Sequence, residues 1–230
     1  MEYAQHFTPL ESDPGIFSQL AAELGLSPSL AFVDIPSLEP EFLPSPALAA
    51  ILLFPTAEDY ETCRIKDNSS EPQGIRDEGE GQVVWYHQTI NNACGLYATL
   101  HALSNGPARG YLEPLSFMGK LLHMSDEERT RELETSDELK HVYQRAAQRG
   151  SSRPPDDPQE EVDYHFVCLV TSNGRLHELD GDRTGPVDRG AVSDGDGALG
   201  ETGLRVIRER LEAGEANLGF SLMALVHRVE

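Results

Sequence analysis

A run of seven apolar residues constrains the fold of this chain more than any other feature of its sequence. Residues 48–54 read Leu-Ala-Ala-Ile-Leu-Leu-Phe, without alternation between apolar and polar positions. A strand with one face in water alternates, whereas a strand that is covered on both faces is apolar throughout. The run is therefore predicted to be a central strand, in a sheet that carries other elements on both sides.

Two helices are indicated by residues that typically begin or end a helix. Asp13 as N-cap, Pro14 at the first helical position and Gly25 as a stop predict one of them. The second is predicted to begin at an Asn92 cap and to run through about Ser104. Apolar residues at helical spacing would face the core from this second helix: Leu96, Leu100 and Leu103.

Two capping-box motifs predict further helices in the middle of the chain. Ser125 precedes Glu128 by three residues, and Thr135 precedes Glu138 by the same interval. In this motif the hydroxyl and the carboxylate satisfy free backbone N–H groups of the first turn. Apolar residues at helical spacing over residues 204–211 predict a last helix, which Gly214 would end.

An Asn-Gly pair predicts a β-hairpin and the register of its two strands. Asn173 and Gly174 suit a type I′ turn, and they follow a strand-like run over residues 164–170. With the turn at this pair, the numbers of facing residues sum to 347, so Val167 lies opposite Asp180. His165 and Asp180 are then diagonal neighbours on one face of the sheet, with about 7–8 Å between their backbones.

The remaining patterns complete the prediction of an α/β fold. Residues 31–35 and the alternating apolar residues of 218–226 are predicted to be strands. The polar segments 65–82 and 149–163 are predicted to be exposed loops. A linker is the alternative for 149–163, but the strand after it needs partners from the rest of the chain. We therefore expect residues 1–230 to form a single domain.

The composition restricts the partners and the compartment. With 18 basic against 39 acidic residues the formal net charge is −21, which disfavours nucleic acid and membrane surfaces and weakly favours a basic partner. The cysteines are three, an odd and sparse set that predicts reduced thiols. The N-terminus does not resemble a leader, and the longest apolar stretch is too short to span a bilayer. A cytoplasmic protein is expected.

Cys94 is the candidate nucleophile, because the first turn of a helix favours a thiolate. A buried structural thiol is the alternative for Cys94 and the expectation for Cys168, which lies inside an apolar strand. Cys63 lies in a polar region and is expected to be incidental.

A thiolate nucleophile needs a histidine to protonate the leaving group and an acceptor to orient that histidine. His165 and Asp180 would supply both roles. The amide of Gln88, six residues before Cys94, would form an oxyanion hole with the backbone N–H of Cys94. Each residue alone has an ordinary structural explanation, but the four together, in the chain order of papain-like thiol hydrolases, favour catalysis.

The segment from Gln88 through Cys94-Gly95 to His101-Ala102 resembles the active-site signature of ubiquitin carboxyl-terminal hydrolases. The segment from His165-Phe166 to Asp180-Gly181 resembles the second signature of that family. The resemblance implies a papain-like domain, with a central antiparallel sheet between helices and a knotted chain path. It also implies that Cys94 is the nucleophile, His165 the general acid and base, Asp180 its orienter and Gln88 the oxyanion donor.

The same resemblance implies where ubiquitin binds. Pro9, Leu10, Glu11 and Asp34 fall where family members touch ubiquitin, and the acids would face arginines of its tail. Plain packing is the alternative for Pro9 and Leu10, and a solvated strand end is the alternative for Asp34. Segment 149–163 corresponds to the family's crossover loop, which would restrict substrates to small or flexible adducts and precursor extensions.

Two departures from the family pattern stand near the predicted site. Leu96-Tyr97-Ala98 replaces the small and β-branched residues that usually follow Cys-Gly, and Gly185 stands where an aromatic residue often precedes Pro186. The first departure is expected to be a repacking. The second removes a contact near the site.

The sequence therefore predicts a thiol hydrolase that cleaves after the C-terminal glycine of ubiquitin through a thioester. No HExxH motif and no paired CxxC motif occur, so neither a metal nor another cofactor is expected. One alternative is a ubiquitin-binding module with weak catalysis, and another is a processing enzyme for a ubiquitin-like modifier. A monomer is expected.

Overall fold

The computed structural model describes residues 3, 5–56, 83–151, 160, 162–193, 195–213 and 219–228. Within this part of the chain, six strands form one antiparallel sheet in the order β1-β6-β2-β3-β4-β5. The strands are β1 Leu30–Asp34, β2 Ala49–Pro55, β3 Tyr164–Ser172, β4 Arg175–Leu179, β5 Val187–Ala191 and β6 Ser221–His227. The α-helices are α1 Pro14–Leu24, α2 Cys94–Ser104, α3 Phe117–Leu121, α4 Asp126–Thr135, α5 Asp137–Ala147 and α6 Glu201–Ala213. Two 3-10 helices span Pro40–Phe42 and Gly106–Tyr111.

The central strand is confirmed. β2 lies between β6 and β3, and alternate residues of the strands enter two separate cores. The first core contains residues of α1, α2 and α5 together with Ala49, Ile51, Phe166 and Cys168. The second contains residues of α6 together with Ala50, Leu52, Val167 and Leu169. A sheet covered on both faces needs strands without polar positions, which explains the apolar run.

The C-terminal strand differs from its prediction in burial. β6 lies between β1 and β2, and residues 222–226 are all buried. Met223 and Leu225 therefore face the first core, while Leu222, Ala224 and Val226 face the second. The predicted alternation had assigned only one apolar face. Leu218, which was predicted to begin the strand, lies outside the described residues.

The hairpin has the predicted register. Ser172 pairs with Arg175 and Cys168 with Leu179, so facing numbers sum to 347. Asn173 and Gly174 have φ angles of 50° and 71°, the positive values that a type I′ turn requires. The short turn thus places the residue after β4 beside the beginning of β3.

The predictions of the helix ends were partly wrong. α1 has its Asp13 cap and its Gly25 stop, and Ser125 and Glu128 form a capping box at α4. α2, however, has Ala93 as its N-cap, because Asn92 adopts a left-handed φ of 57° and is turned away from the helix. α5 is capped by the Ser136 hydroxyl, which accepts a hydrogen bond from the Leu139 N–H.

The error at α5 arises because the preceding helix extends through Thr135. Thr135 is the last residue of α4, so it cannot act as the N-cap of the next helix. Gly214 and the polar segment 65–82 lie outside the described residues. None of the helices that the structure describes is long and apolar enough to cross a membrane.

Candidate active site

One end of the sheet gathers most of the predicted site residues. Because the sheet is antiparallel, the ends of β1 and β4 meet the beginnings of β3 and β6. Asp34 ends β1, Asp180 follows β4, and His165 lies at the beginning of β3. The N-terminal segment reaches the same end, since the Ser12 hydroxyl donates a 2.8 Å hydrogen bond to the Ser221 hydroxyl.

Cys94 is the first residue of α2 and lies next to this end of the sheet. Cys94 is 7% exposed, and the next residue, Gly95, is buried against the N-terminal segment. A Cβ at Gly95 would lie 3.2 Å from Leu10 Cδ1 and 3.3 Å from Phe17 Cζ, so the helix begins in close contact with that segment. The N-terminal end of a helix interacts favourably with negative charge. The fold therefore places Cys94 at the positive end of the α2 dipole.

His165 and Asp180 form the predicted contact. Nε2 of the imidazole lies 2.8 Å from Oδ1 of the Asp180 carboxylate, and both side chains are buried. The Cys94 thiol is a hydrogen-bond partner of the same imidazole. Burial opposes protonation of His165, but the charge and hydrogen bond of Asp180, together with the Cys94 contact, raise its pKa well above the ordinary value. The geometry thus favours an imidazolium between a sulfur and a carboxylate.

The orienting carboxylate is itself held in place. Oδ1 of Asp180 accepts a 2.9 Å hydrogen bond from the backbone N–H of Asp182, and the indole N–H of Trp85 donates to the Asp180 carbonyl at 2.8 Å. The Asp182 carboxylate lies 3.8 Å from Nδ1 of His165. Donor atoms of His165, Asp180 and Asp182 lie within 4.8 Å of one another, the spacing of metal ligands. Here the two acids flank one imidazole, which suits stabilisation of its charged form.

Gln88 is joined to the Asp180 turn by the backbone. Its N–H donates a 2.9 Å hydrogen bond to the Gly181 carbonyl, and Nδ1 of His87 lies 3.0 Å from the same oxygen. The Gln88 side chain is buried, and its Oε1 has no hydrogen-bond partner among the described residues. The same carboxamide carries two N–H donors, and its role as a donor to a substrate oxyanion stays a prediction.

Comparison with known proteins identifies the family of this chain. The sequence pattern described as "Ubiquitin carboxyl-terminal hydrolase, family 1" matches residues 7–212, which is most of the chain. The chain belongs to this family of ubiquitin carboxyl-terminal hydrolases. The same match makes it a cysteine-type hydrolase, and the predicted resemblance is confirmed.

Curated relatives of this hydrolase come from animals and plants. A ubiquitin carboxyl-terminal hydrolase of Aplysia californica is 36% identical over 201 residues, with 84% of this chain and 90% of the relative covered. One from Drosophila melanogaster is 33% identical, with 82% and 84% covered. Ubiquitin carboxyl-terminal hydrolase 3 of Arabidopsis thaliana is 31% identical, with 98% and 96% covered.

Solved structures share the fold of this hydrolase. The catalytic domain of Trichinella spiralis UCH37 bound to ubiquitin vinyl methyl ester has a TM-score of 0.71 at 23% identity, with 100% of this chain and 97% of that chain covered. Another structure of that protein with the same ligand has a TM-score of 0.68 at 24% identity, covering 96% and 82%. The predicted papain-like α/β fold is confirmed. The knotted path stays a prediction.

The first departure from the family pattern supports the Gln88 segment of this ubiquitin hydrolase. The Tyr97 hydroxyl accepts a 3.1 Å hydrogen bond from the backbone N–H of Thr89 and lies 3.2 Å from the Thr89 hydroxyl. Tyr97 therefore does more than fill space, because it fixes the residue next to Gln88. At the second departure, a Cβ on Gly185 would meet no atom within 4 Å. The space next to this position, where the family pattern often has an aromatic residue, is therefore open here.

The four predicted ubiquitin contacts differ in their surroundings. Leu10 is 6% exposed and belongs to the first core, which supports the packing interpretation for this side chain. Pro9 is half-buried, and Asp34 is exposed at the end of β1. The Glu11 carboxylate accepts hydrogen bonds from the backbone N–H of Ser151 at 2.6 Å and from its hydroxyl at 3.2 Å. Glu11 is thus connected to the beginning of the predicted crossover loop.

Three supporting contacts of this hydrolase were not predicted. The Tyr143 hydroxyl donates to the Thr8 carbonyl at 2.7 Å and joins α5 to the N-terminal segment. The Asn92 amide donates to the Glu160 carbonyl at 2.9 Å, so the residue before Ala93-Cys94 contacts the far end of the predicted crossover loop. Asp182 could have been suspected from the Asp-Gly-Asp sequence, since it is an acid two residues after the orienter. The other two have no local sequence signal.

The remaining cysteines are separated from this site. Cys168 is fully buried in β3, where burial raises the pKa of its thiol above the ordinary value. Such a thiol is inert at neutral pH, as its apolar surroundings predict. Cys63 lies outside the described residues.

Replacing Gly181 with alanine is expected to lower kcat about 10-fold or more while the protein stays folded. The added Cβ would lie 2.8 Å from the Gln88 Cβ and 3.3 Å from its backbone N, so the Gln88 segment must shift away from the Asp180 turn. Steady-state kinetics with a ubiquitin C-terminal ester measure the effect. Gly110→Ala is the matched control, because a Cβ there meets no atom within 4 Å. Equal kcat values for both variants would contradict the role of this close approach.

Proposed function

We propose that this protein cleaves the bond after the C-terminal glycine of ubiquitin through a thioester on Cys94. The observation that carries the proposal is the buried chain of contacts from Cys94 to His165 and from His165 to Asp180, in which the imidazole and carboxylate are 2.8 Å apart. This arrangement supplies a nucleophile, an acid and base, and an orienter in one place. The family match supports ubiquitin as the group that is recognised.

In the proposed reaction, the Cys94 thiolate attacks the carbonyl carbon of the terminal glycine. The Gln88 carboxamide and the Cys94 backbone N–H would donate hydrogen bonds to the oxygen as it becomes negative. The imidazolium of His165 gives its proton to the departing amine or alkoxide, the bond to that group breaks, and a thioester remains. His165 then takes a proton from water, hydroxide attacks the thioester, and ubiquitin leaves with a free carboxylate as the thiolate is restored.

The acidic surface supports a substrate with a basic tail. The chain has a formal net charge of −21, and Asp34 is exposed at the end of the sheet where Cys94 and His165 lie. We propose that Pro9, Glu11 and Asp34 contact ubiquitin, and that the acids pair with arginines of its tail. Leu10 would contribute by supporting Gly95 rather than by direct contact.

The substrate range follows from the crossover loop that the family resemblance implies. A loop over residues 149–163 above the site would admit small adducts and flexible precursor extensions and would exclude large folded groups. We further propose that the protein acts as a monomer, as a single domain over residues 1–230, in the cytoplasm. A module without useful catalysis is disfavoured, because His165 and Asp180 are already within hydrogen-bond distance.

Ubiquitin whose C-terminus carries a thiol-reactive group is expected to add once to this protein, at Cys94. Intact mass measures the number of adducts, and peptide mapping distinguishes Cys94 from Cys63 and Cys168. Cys94→Ala should give no adduct. Measurable ubiquitin binding without an adduct would overturn the catalytic proposal. Reaction with a ubiquitin-like modifier that carries the same group, in place of ubiquitin, would overturn the choice of substrate.

A further inference from the structure

The Asp180 carboxylate lies between two positively charged partners. Its Oδ1 faces Nε2 of His165 at 2.8 Å, whereas its Oδ2 lies 3.4 Å from Nε of Arg183. The Asp180 and Arg183 side chains are 0% and 1% exposed. Each oxygen of the carboxylate therefore has its own cation, and rotation of the carboxylate toward one partner would weaken its contact with the other.

Arg183 is held in turn by a second buried acid. Nη2 of Arg183 lies 3.8 Å from Oε1 of Glu178, whose side chain is fully buried in β4. Glu178 also pairs with Arg189 of β5, whose Nη2 lies 2.8 Å from Oε2, and with Arg210 of α6. Three arginines thus surround two carboxylates in the interior. These residues connect the site to β5, at the edge of the sheet, and to α6, which packs on the face of the sheet opposite α2.

We infer that Arg183 is a positioning residue, which keeps the Asp180 carboxylate charged and directed at His165. The inference rests on the proposed function, because it assigns a role in aligning the same His165. Among the described residues, neither Arg183 nor the arginines around Glu178 contact the Cys94 sulfur. Their effect on the reaction would pass through Asp180 alone.

The physical reason is the high free energy of a buried carboxylate. An isolated carboxylate in the interior takes up a proton or turns toward any available donor. Arginine stays charged at every pH at which a protein is folded, and its side chain therefore supplies a permanent counter-charge. With Arg183 in place, Asp180 remains ionised when His165 is neutral as well as when it is charged. The hydrogen bond to His165 is then present throughout the catalytic cycle.

The other groups that face Asp180 do not replace this charge. Burial lowers the pKa of His101, on α2, to about 3, so this imidazole is neutral at the pH of activity. Asp182, beside Asp180 on the same loop, and Glu178, on β4, both carry negative charge and oppose ionisation of Asp180. Trp85 donates only to the Asp180 backbone carbonyl. Arg183 and His165 are the cations in contact with the Asp180 carboxylate among the described residues.

Removal of Arg183 changes the titration of His165 in a defined direction. Without Arg183, loss of the His165 proton would leave the Asp180 carboxylate buried with no cation in contact among the described residues, so the His165–Asp180 pair would keep that proton to higher pH. The alkaline limb of the pH–activity profile, over which His165 loses its proton, moves to higher pH. Because the carboxylate can then rotate, kcat falls by a factor of about 10 to 100, while KM stays nearly unchanged. A merely structural role of Arg183 would not move the alkaline limb.

The test compares Arg183→Gln with Arg183→Lys and with Arg175→Gln as a matched control. Arg175, at the beginning of β4, pairs with Asp188 of β5, whereas Asp180 follows the other end of β4. For each variant, kcat and KM for a ubiquitin C-terminal ester are measured across pH. In parallel, the rate at which iodoacetate alkylates Cys94 is measured, since an anionic reagent reacts faster while the neighbouring imidazolium is charged. This second measurement needs no ubiquitin.

Arg183→Gln is expected to shift the alkaline limb upward in both measurements, whereas Arg183→Lys, which keeps the charge, is expected to restore most of kcat and the original limb. An unshifted limb in a folded Arg183→Gln variant would overturn the inference. If that variant does not fold, Arg183→Met is tested in the same way, and failure of Arg183→Lys to retain the original limb would equally overturn it. Absence of ubiquitin hydrolysis by the unaltered protein, with a normal alkylation profile, would count against the proposed function only.

Discussion

Cys94→Ala is expected to lower the rate of ubiquitin hydrolysis by a factor of about 10⁴ or more while ubiquitin binding is retained. The substitution removes one sulfur atom from a residue that is 7% exposed, and Ala93 and Gly95 on either side keep the start of α2 unchanged. No other thiol in the described residues can take its place, because Cys168 is enclosed in β3. Steady-state hydrolysis of a ubiquitin ester and calorimetric binding of ubiquitin measure the two quantities separately.

Cys168→Ala is the matched control for this prediction. It removes the same atom from a fully buried thiol that lies in the first core and contacts no site residue in any described hydrogen bond. We expect its kcat to be nearly unchanged and its free energy of unfolding to fall by about 1 kcal/mol or somewhat more. Substantial turnover by Cys94→Ala would contradict the nucleophile assignment, as would a loss of kcat in Cys168→Ala that equals the loss in Cys94→Ala.

The elements that could be predicted from the sequence are those set by local rules. The apolar run of residues 48–54 indicates burial on both faces wherever the strand lies in the sheet. The Asn173-Gly174 turn sets the register of β3 and β4, and with it the proximity of His165 and Asp180. Both predictions needed only the geometry of a strand and of a two-residue turn.

The buried charges could not be predicted in this way. Glu178 stands in Leu-His-Glu-Leu and Arg189 in Val-Asp-Arg-Gly-Ala, and each pattern suggests a polar residue on an exposed face. The strand that contains Arg189 was not predicted, because Asp188, Arg189 and Gly190 interrupt its apolar positions and none of its residues is buried. Which charges lie inside depends on the meeting of β4, β5 and α6, which are distant in sequence. Only tertiary structure shows that Arg183 lies beside Asp180.

The error at Asn92 has a similar origin. Asparagine before a helix is a common N-cap, but it also tolerates the left-handed region better than most residues. Here its φ is 57° and its amide donates to the carbonyl of Glu160, so a contact distant in sequence replaces the local cap. The short helix α3 was missed because its five residues are too few to show helical periodicity.

Asp180→Asn is expected to lower kcat by a factor of about 10² to 10⁴ without unfolding the protein. The amide keeps the shape of the side chain but loses the charge, and its NH₂ group can donate to Nε2 of His165, which favours the wrong tautomer. In the unaltered protein, burial lowers the pKa of His165, and the Asp180 charge and hydrogen bond raise it above the ordinary value. Without the carboxylate the burial effect dominates, so the pKa of His165 falls.

The pH dependence of Asp180→Asn follows from this fall in the pKa of His165. Activity that needs the imidazolium is lost as pH rises through the pKa of His165, so a lower pKa moves the alkaline limb to lower pH. Arg183→Gln is expected to move the same limb upward, and this opposition separates loss of the carboxylate from loss of its counter-charge. Asp188→Asn, which alters an acid paired with Arg175 away from the site, is the control and should leave the limb in place. If Asp180→Asn retained full kcat and an unshifted limb, the 2.8 Å contact between His165 and Asp180 would have no catalytic role.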